Sequence, residues 1–256
     1  MTSREMILFA QKESARLLGC RQEDLAGSAD LVITRENAQG KRGKAAPFCF
    51  FVSYGSCTVA SADPAALETI RIYFKRFPRQ ADRMEVPALY TLNKLLKPMG
   101  YGVCFQSEYF LPLRFSEAKA SSLKTELLVT EQLAELNSSQ WPNALTAHHR
   151  HLDRLGVAAL DGGNMVGLAA CSEDSPLLWQ IGVDVDPFYR GKGIAVSLVR
   201  QLAQEVLIRG KVPFYGAAWC NIPSVRCALS AGFVPVWNEI TAIPLAELEK
   251  MLQQQG

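Results

Sequence analysis

The sequence predicts an α/β protein of two domains. Strand-like segments alternate with amphipathic, helix-like ones along the chain. At 190–193 a glycine turn joins a strand pattern directly to a helix pattern. The 256 residues, 48% of them hydrophobic and 20% charged, are enough for one large or two modest cores.

The elements follow in order. Residues 4–18 alternate apolar and charged side chains at helical spacing, which fits an amphipathic helix and not a signal-peptide core. Strands are expected at 29–36 and 47–61, with the basic loop 37–46 between them. A helix is expected over 64–74, capped by Asp63, and another over 86–100, stopped by Pro98 and Gly100. A strand at 101–113 ends the first half. The polar, small-residue stretch 114–124 is the expected boundary between domains 1–118 and 119–256.

The second half predicts a strand at 125–130, a helix from 131, a second helix over 143–155, and two strands around the hairpin signal Asp161-Gly162-Gly163-Asn164. A strand at 177–187, a helix at 191–209, a strand at 212–220, a short helix at 223–231, a strand at 233–243 and a closing helix complete it. The N-terminal domain is also expected to be α/β; the helix–glycine–strand order of 86–113 echoes 223–243, and a worn copy of the second half is one of the readings this leaves open.

Bulk properties narrow the function. The net charge is +2, so neither a nucleic acid nor a membrane is expected as a partner. The seven cysteines contain no CxxC pair and no zinc spacing, which predicts reduced thiols and no metal site. His148 and His151, at i and i+3, lack an identifiable third ligand for a metal, and the three histidines 148, 149 and 151 read as a solvated helix face, with general-base service by one of them as the alternative. Glu173 and Asp174 read as turn carboxylates, with contact to a cationic amine as the alternative. The cluster at 39–44 reads as a solvated loop, or as a contact for a phosphate. No apolar run reaches about 18 residues, and a cytoplasmic location is expected.

The chemistry concentrates in "VDVDPFYRGKGIAVSL". Pro187 lacks an N–H and stops strand pairing. The chain then enters a helix whose first N–H groups are unpaired and carry part of a positive charge, which makes an anion site. Gly191 and Gly193 let the backbone approach a phosphate, and Arg190 and Lys192 add charge. The turn has neither GxxxxGK[ST] nor GxGxxG, so neither an NTPase loop nor a dinucleotide fold is supported. A plain tight connection is the structural alternative.

Arg190-Gly191-Lys192-Gly193-Ile194-Ala195 fits [R/Q]xxGx[G/A], and with Asn221, Ser224 and Gly232-Phe233 downstream the chain resembles the GNAT superfamily of acyl-CoA-dependent N-acetyltransferases over about 122–245. The resemblance implies a GNAT-type mixed central sheet flanked by helices. It implies that the 190–195 loop grips the pyrophosphate of coenzyme A, and that Val183 and Val185 pair with its pantetheine arm through their backbone. It implies acetyl-CoA as co-substrate, no metal, and direct transfer of an acetyl group to a primary amine of a small molecule or peptide. Asn221 and Ser224 would be cofactor contacts, or Asn221 a plain helix cap.

Two departures touch the catalytic groups. Where members often carry a tyrosine acid, seven residues after the asparagine, this chain has Ala228; where many carry a glutamate base it has Trp179. Gln180 and Asp184 share the strand face opposite Trp179, Ile181, Val183 and Val185. Asp184 is the expected proton acceptor, through water, and Gln180 the expected orienter of the amine. Two rival readings stand: a non-catalytic CoA-binding or regulatory module, and an interaction protein that has lost the ligand. The N-terminal domain is expected to serve the substrate side or to make a homodimer.

Overall fold

The computed structural model describes residues 1–41, 45–114, 123–145 and 149–253. The chain forms two compact units: Met1–Ala10 with Tyr109–Pro235, and Gln11–Glu108 with the segment from Val236. The expected boundary stretch, 114–124, lies largely outside the described residues.

The unit built on Gln11–Glu108 holds the second half of helix α1 (Ser3–Leu18), then α2 (Gln22–Ala26), strands β1 (Leu31–Thr34), β2 (Cys49–Ser53) and β3 (Thr58–Ala62), helices α3 (Leu67–Arg76) and α4 (Val86–Leu96), and most of β4 (Tyr101–Leu111). Its strands run in the order β1-β3-β2-β10-β4, where β10 is Val234–Pro244 from the far end of the chain, followed by α8 (Leu245–Gln253). β10 pairs antiparallel with β2 from Asn238↔Ser53 to Ala242↔Cys49. Ile70, Tyr73 and Phe74 of α3 and Leu92 and Leu96 of α4 pack on Phe51, Ala60 and Ile240 of the strands. Asp63 caps the helical segment at Pro64, accepting from Ala65 N at 3.1 Å.

One buried cation fixes this unit. Arg83 is 1% exposed. Its guanidinium donates to both oxygens of Asp30, at 2.7 and 2.6 Å, and to the Phe77 and Pro78 carbonyls, and it stacks 4.3 Å from the Phe74 ring. A charge so buried persists only when it is paired and hydrogen-bonded, as here.

The other unit carries β5 (Lys124–Val129), α5 (Thr130–Glu135), β6 (Asp153–Asp161), β7 (Asn164–Glu173), β8 (Leu178–Val185), α6 (Ile194–Ile208), β9 (Val212–Ala217) and α7 (Ile222–Ser230). Its strands follow the order β9-β8-β7-β6-β5, antiparallel except that β8 and β9 are parallel. β6 and β7 form the expected hairpin, closed by Asp161↔Asn164 around Gly162 and Gly163. Ile194, Leu198, Leu202 and Val206 of α6 recur every four residues and pack on Val157, Ala169 and Ile181 of the sheet. Leu133, Trp141 and Leu145 cover the opposite face over Ala158, Leu168 and Ala170.

Two expected elements differ. The run 47–61 is not one strand: it folds back at Gly55, whose φ of +98° suits glycine, so β2 and β3 pair as a hairpin. The expected helix over 143–155 is absent among the described residues. A 3-10 turn covers Arg150–Leu152, and Asp153 already begins β6. Leu155, Val157 and Ala159 alternate into the core, and pairing with both β5 and β7 overrides the helical periodicity.

Candidate functional site

The site starts where two strands part. β8 pairs with β7 along nearly its whole length, from Glu173↔Trp179 to Gly167↔Val185. It pairs with β9 only from Leu178↔Val212 to Ile181↔Tyr215. Among the described residues, the β9-side edge of 182–185 therefore faces no strand. Backbone donors and acceptors on that edge need partners from elsewhere. A cleft of about 740 Å³ opens at this point, between 180–185 on one side and Tyr215 and Gly216 on the other.

The glycine turn closes one end of the cleft. After β8, Asp186 accepts from Phe188 N at 2.9 Å in a short 3-10 turn over Pro187–Tyr189. The Arg190 guanidinium folds back and donates to the Val185 carbonyl at 3.0 Å. Gly191 and Gly193 have φ of +76° and +78°, the left-handed region that favours glycine, and Gly193 is the N-cap of α6. The first bond into the helix runs from Ser197 N to Gly193 O at 3.1 Å. The N–H groups of Ile194, Ala195 and Val196 precede it, so they are the donors that a helix start leaves open, and all three residues line the cleft. Lys192 is turned aside, its ammonium 4.8 Å from the Tyr189 ring centroid, and Tyr189 in turn donates to Asp161 at 2.7 Å.

β8 alternates as the sequence predicts. Trp179 and Ile181 are buried in the α6-side core, with Val183 and Val185 packed against it. Gln180 and Asp184 occupy the other face, and both line the cleft. Asp184, however, is engaged. Oδ2 accepts from Asn143 N and Ala144 N, both at 2.8 Å, and Oδ1 accepts from Asn143 Nδ2 at 2.6 Å. The same chain segment crosses β8 so closely that a Cβ at Gly182 would lie 1.8 Å from the Asn143 carbonyl oxygen. Asp184 thus holds a loop that walls the cleft, and a role as base would require it to release donors.

Helix α7 supplies the far wall. Asn221 caps it, its Oδ1 accepting from Ser224 N at 3.3 Å, and also lines the cleft. Ser224 Oγ lies 3.0 Å from Tyr215 Oη. Tyr215 is 5% exposed, and burial, with the Cys227 thiol nearby, pushes its phenol up to about 12. Burial likewise pushes the Cys227 thiol up to about 11. Both are neutral across the physiological range. Ala228 is fully buried on the same helix. Sequence reasoning missed Tyr215 and Asn143. The available signal for Tyr215 was a tyrosine inside a buried strand pattern, whose hydroxyl needs a polar partner.

Other candidate groups lie apart from the cleft. Glu173 pairs with Arg154 at 2.6 Å, and Asp174 accepts from Ser172 Oγ at 2.9 Å. The His149 and His151 rings stand edge to face, 6.0 Å apart, while His148 lies outside the described residues. Of the basic loop 39–44, Lys41 pairs with Glu239, and residues 42–44 lie outside the described part. Among the described residues, no three His, Cys, Asp or Glu are grouped to hold a metal ion, and no helix is long and apolar enough to cross a membrane.

Residues 122–233 match the family model described as "Acetyltransferase (GNAT) family". Residues 122–233 of the chain are thus a GNAT-type acetyltransferase domain. No curated protein matches the chain in sequence. Solved structures align with parts of it at low identity. One described as a GNAT-family acetyltransferase from Novosphingobium aromaticivorans is 20% identical, over 56% of this chain and 66% of that one, with a TM-score of 0.38. A GNAT-family acetyltransferase from Colwellia psychrerythraea is 16% identical, over 56% of each, with a TM-score of 0.42. A GCN5-related N-acetyltransferase-like protein from Streptococcus suis is 18% identical, over 61% of this chain and 69% of that one, with a TM-score of 0.43. The chain spans less than two thirds of the length of the first two.

Proposed function

We propose that the protein transfers an acetyl group from acetyl-CoA directly to a primary amine of a small molecule or peptide. The observation that carries this reading is the parting of β8 from β9 beyond Ile181↔Tyr215, with the start of α6 at the end of the opened edge. The pyrophosphate belongs at the N–H groups of 194–196, where the two glycines give it access and Arg190 adds charge. The pantetheine arm belongs along the edge of 182–185 that β9 leaves uncovered, where it completes the sheet's hydrogen bonds as an added strand would. That edge runs from the helix start toward the apex, so the thioester arrives beside Ile181 and Tyr215.

Acetyl transfer asks three things: a polarised carbonyl, an amine freed of its proton, and alignment of the two. An N–H on the open edge supplies the first. The cleft walls, including Gln180 and the 143–144 loop, supply the third. Water removes the amine proton, because the strand carries Trp179 buried in the core and Asp184 occupied by three N–H donors. All seven cysteines are free thiols, which suits a reducing compartment such as the cytoplasm.

That neither Trp179 nor Asp184 of β8 offers an open base favours a second reading, a CoA-binding module without turnover. A panel of primary amines separates the two: release of free thiol from acetyl-CoA supports transfer, and tight CoA binding with no thiol release supports the module. Gly193→Asp tests the loop beneath both. A carboxylate beside the phosphates costs several kcal/mol, so CoA affinity should fall by ~100-fold or more. Gly193→Ala carries only the strain of a left-handed residue, about 1–2 kcal/mol. Equal calorimetric affinity of Gly193→Asp and Gly193→Ala would remove the phosphates from this turn.

A further inference from the structure

Tyr215 closes the last pair between β8 and β9 and stands at the apex of the cleft. Its hydroxyl and that of Ser224 lie 3.0 Å apart, and either can be the donor. Two hydroxyls carry two protons, and one bond between them uses one. The second O–H is left for a group in the cleft. With Ser224 as the donor of that bond the spare hydrogen is the one on Tyr215, which is 5% exposed, and a donor so buried demands a partner. The apex also lies at the right reach. From Val185 to Ile181 the strand rises about 13 Å at about 3.3 Å per residue, a span on the scale of an extended pantetheine arm.

We infer that Tyr215 Oη donates a hydrogen bond to the sulfur of the thioester and stabilises it as it leaves, with Ser224 holding the phenol in place. This rests on the acyl-transfer reading above. In the step, the amine nitrogen forms a bond to the carbonyl carbon, and the C–S bond breaks with its electron pair going to sulfur. The amine proton passes to water. The sulfur departs as a thiolate bonded to the Tyr215 O–H and takes a proton from water on release. Tyr215 keeps its own proton throughout. Burial favours that outcome, since it makes the phenol a weaker acid than an ordinary thiol and therefore a donor of a hydrogen bond and not of a proton. The bond strengthens as charge builds on sulfur, so it acts on the transition state more than on the bound donor.

The test compares CoA with desulfo-CoA by calorimetry, in the wild type and in Tyr215→Phe. The wild type should prefer CoA by about 2- to 10-fold, the worth of one neutral hydrogen bond. Tyr215→Phe should bind the two alike, with its affinity for desulfo-CoA unchanged. In acetyl transfer its kcat should fall on the order of 10- to 100-fold, the worth of a bond to a charged acceptor, with little change in KM for acetyl-CoA. Ser224→Ala frees the phenol without removing it and should lose less than Tyr215→Phe. A Tyr215→Phe protein that keeps the preference for CoA overturns the inference, as does a wild type that shows none. A wild type that binds neither ligand instead overturns the CoA reading. One that binds CoA but never releases thiol overturns transfer, while the binding comparison still decides the sulfur contact.

Discussion

Asp184 shows how far a residue's type and face determine its role. Strand alternation correctly puts it beside Gln180 on the polar face of β8, where a carboxylate suggests a base. The structure adds three donors from Asn143 and Ala144, some 40 positions away in sequence and invisible to any local pattern. Tyr215 is the converse. It reads as one more strand residue until the nine-residue separation to Ser224 closes across a strand–helix turn. Substituting Asp184 by Asn separates anchor from base. The amide places an N–H against the N–H groups of 143–144, so stability should fall by about 1–3 kcal/mol, and KM for the amine should rise as the loop loosens. If Asp184 were the base, kcat would fall ~100-fold or more at unchanged stability, with the acidic limb of the pH profile lost. Urea unfolding and steady-state kinetics on the one variant discriminate.

At the scale of elements, the legible parts were those where the determinant is local. The turn into α6 announces itself because glycines at 191 and 193 permit left-handed backbone and the following apolar residues recur at helical spacing. The hairpin at 161–164 and the ends of β8 and α7 follow from turn chemistry in the same way. The helix expected over 143–155 failed because its second part is claimed by β5 and β7, and strand pairing is not a property of one segment. The splay was legible only through the family resemblance, which leaves the backbone of Val183 and Val185 to the pantetheine arm: nothing in the composition of β8 itself marks Ile181 as its last contact with β9. It has a direct consequence for exchange. Amides of 182–185 that point toward β9 have no strand acceptor among the described residues, so hydrogen exchange there should be faster than in 178–181. Adding CoA should slow exchange in 182–185 and in 194–196 together while leaving 178–181 unchanged. Protection in one segment without the other would mean that the coenzyme does not run along this edge.

Across the whole molecule, neither compact unit is a continuous stretch of sequence. β10, from the end of the chain, pairs with β2 near its beginning, and composition gives no sign of such a pairing because each strand's pattern is satisfied by any apolar neighbour. Both units nonetheless carry the same pH liability. Cys49 in β2 and Cys171 in β7 are fully buried, and burial pushes each thiol up to about 12. In the unfolded chain these thiols ionise near the ordinary value of about 8.5. A folded pKa above the unfolded one gives stability that is complete below the unfolded value. It is lost as pH rises, here from about 8.5 toward 12, at about 1.4 kcal/mol per pH unit for each thiol. The buried phenols of Tyr54 and Tyr73, also pushed up by burial, add to the slope above pH 10. Unfolding free energy should therefore be flat from pH 7 to 8.5 and then fall. Cys171→Ala should lower the plateau, through the cavity it leaves, but make the alkaline slope shallower in the unit of residues 109–235 alone. An unchanged slope in that variant would mean that the Cys171 thiol ionises as readily in the folded protein as in the unfolded chain.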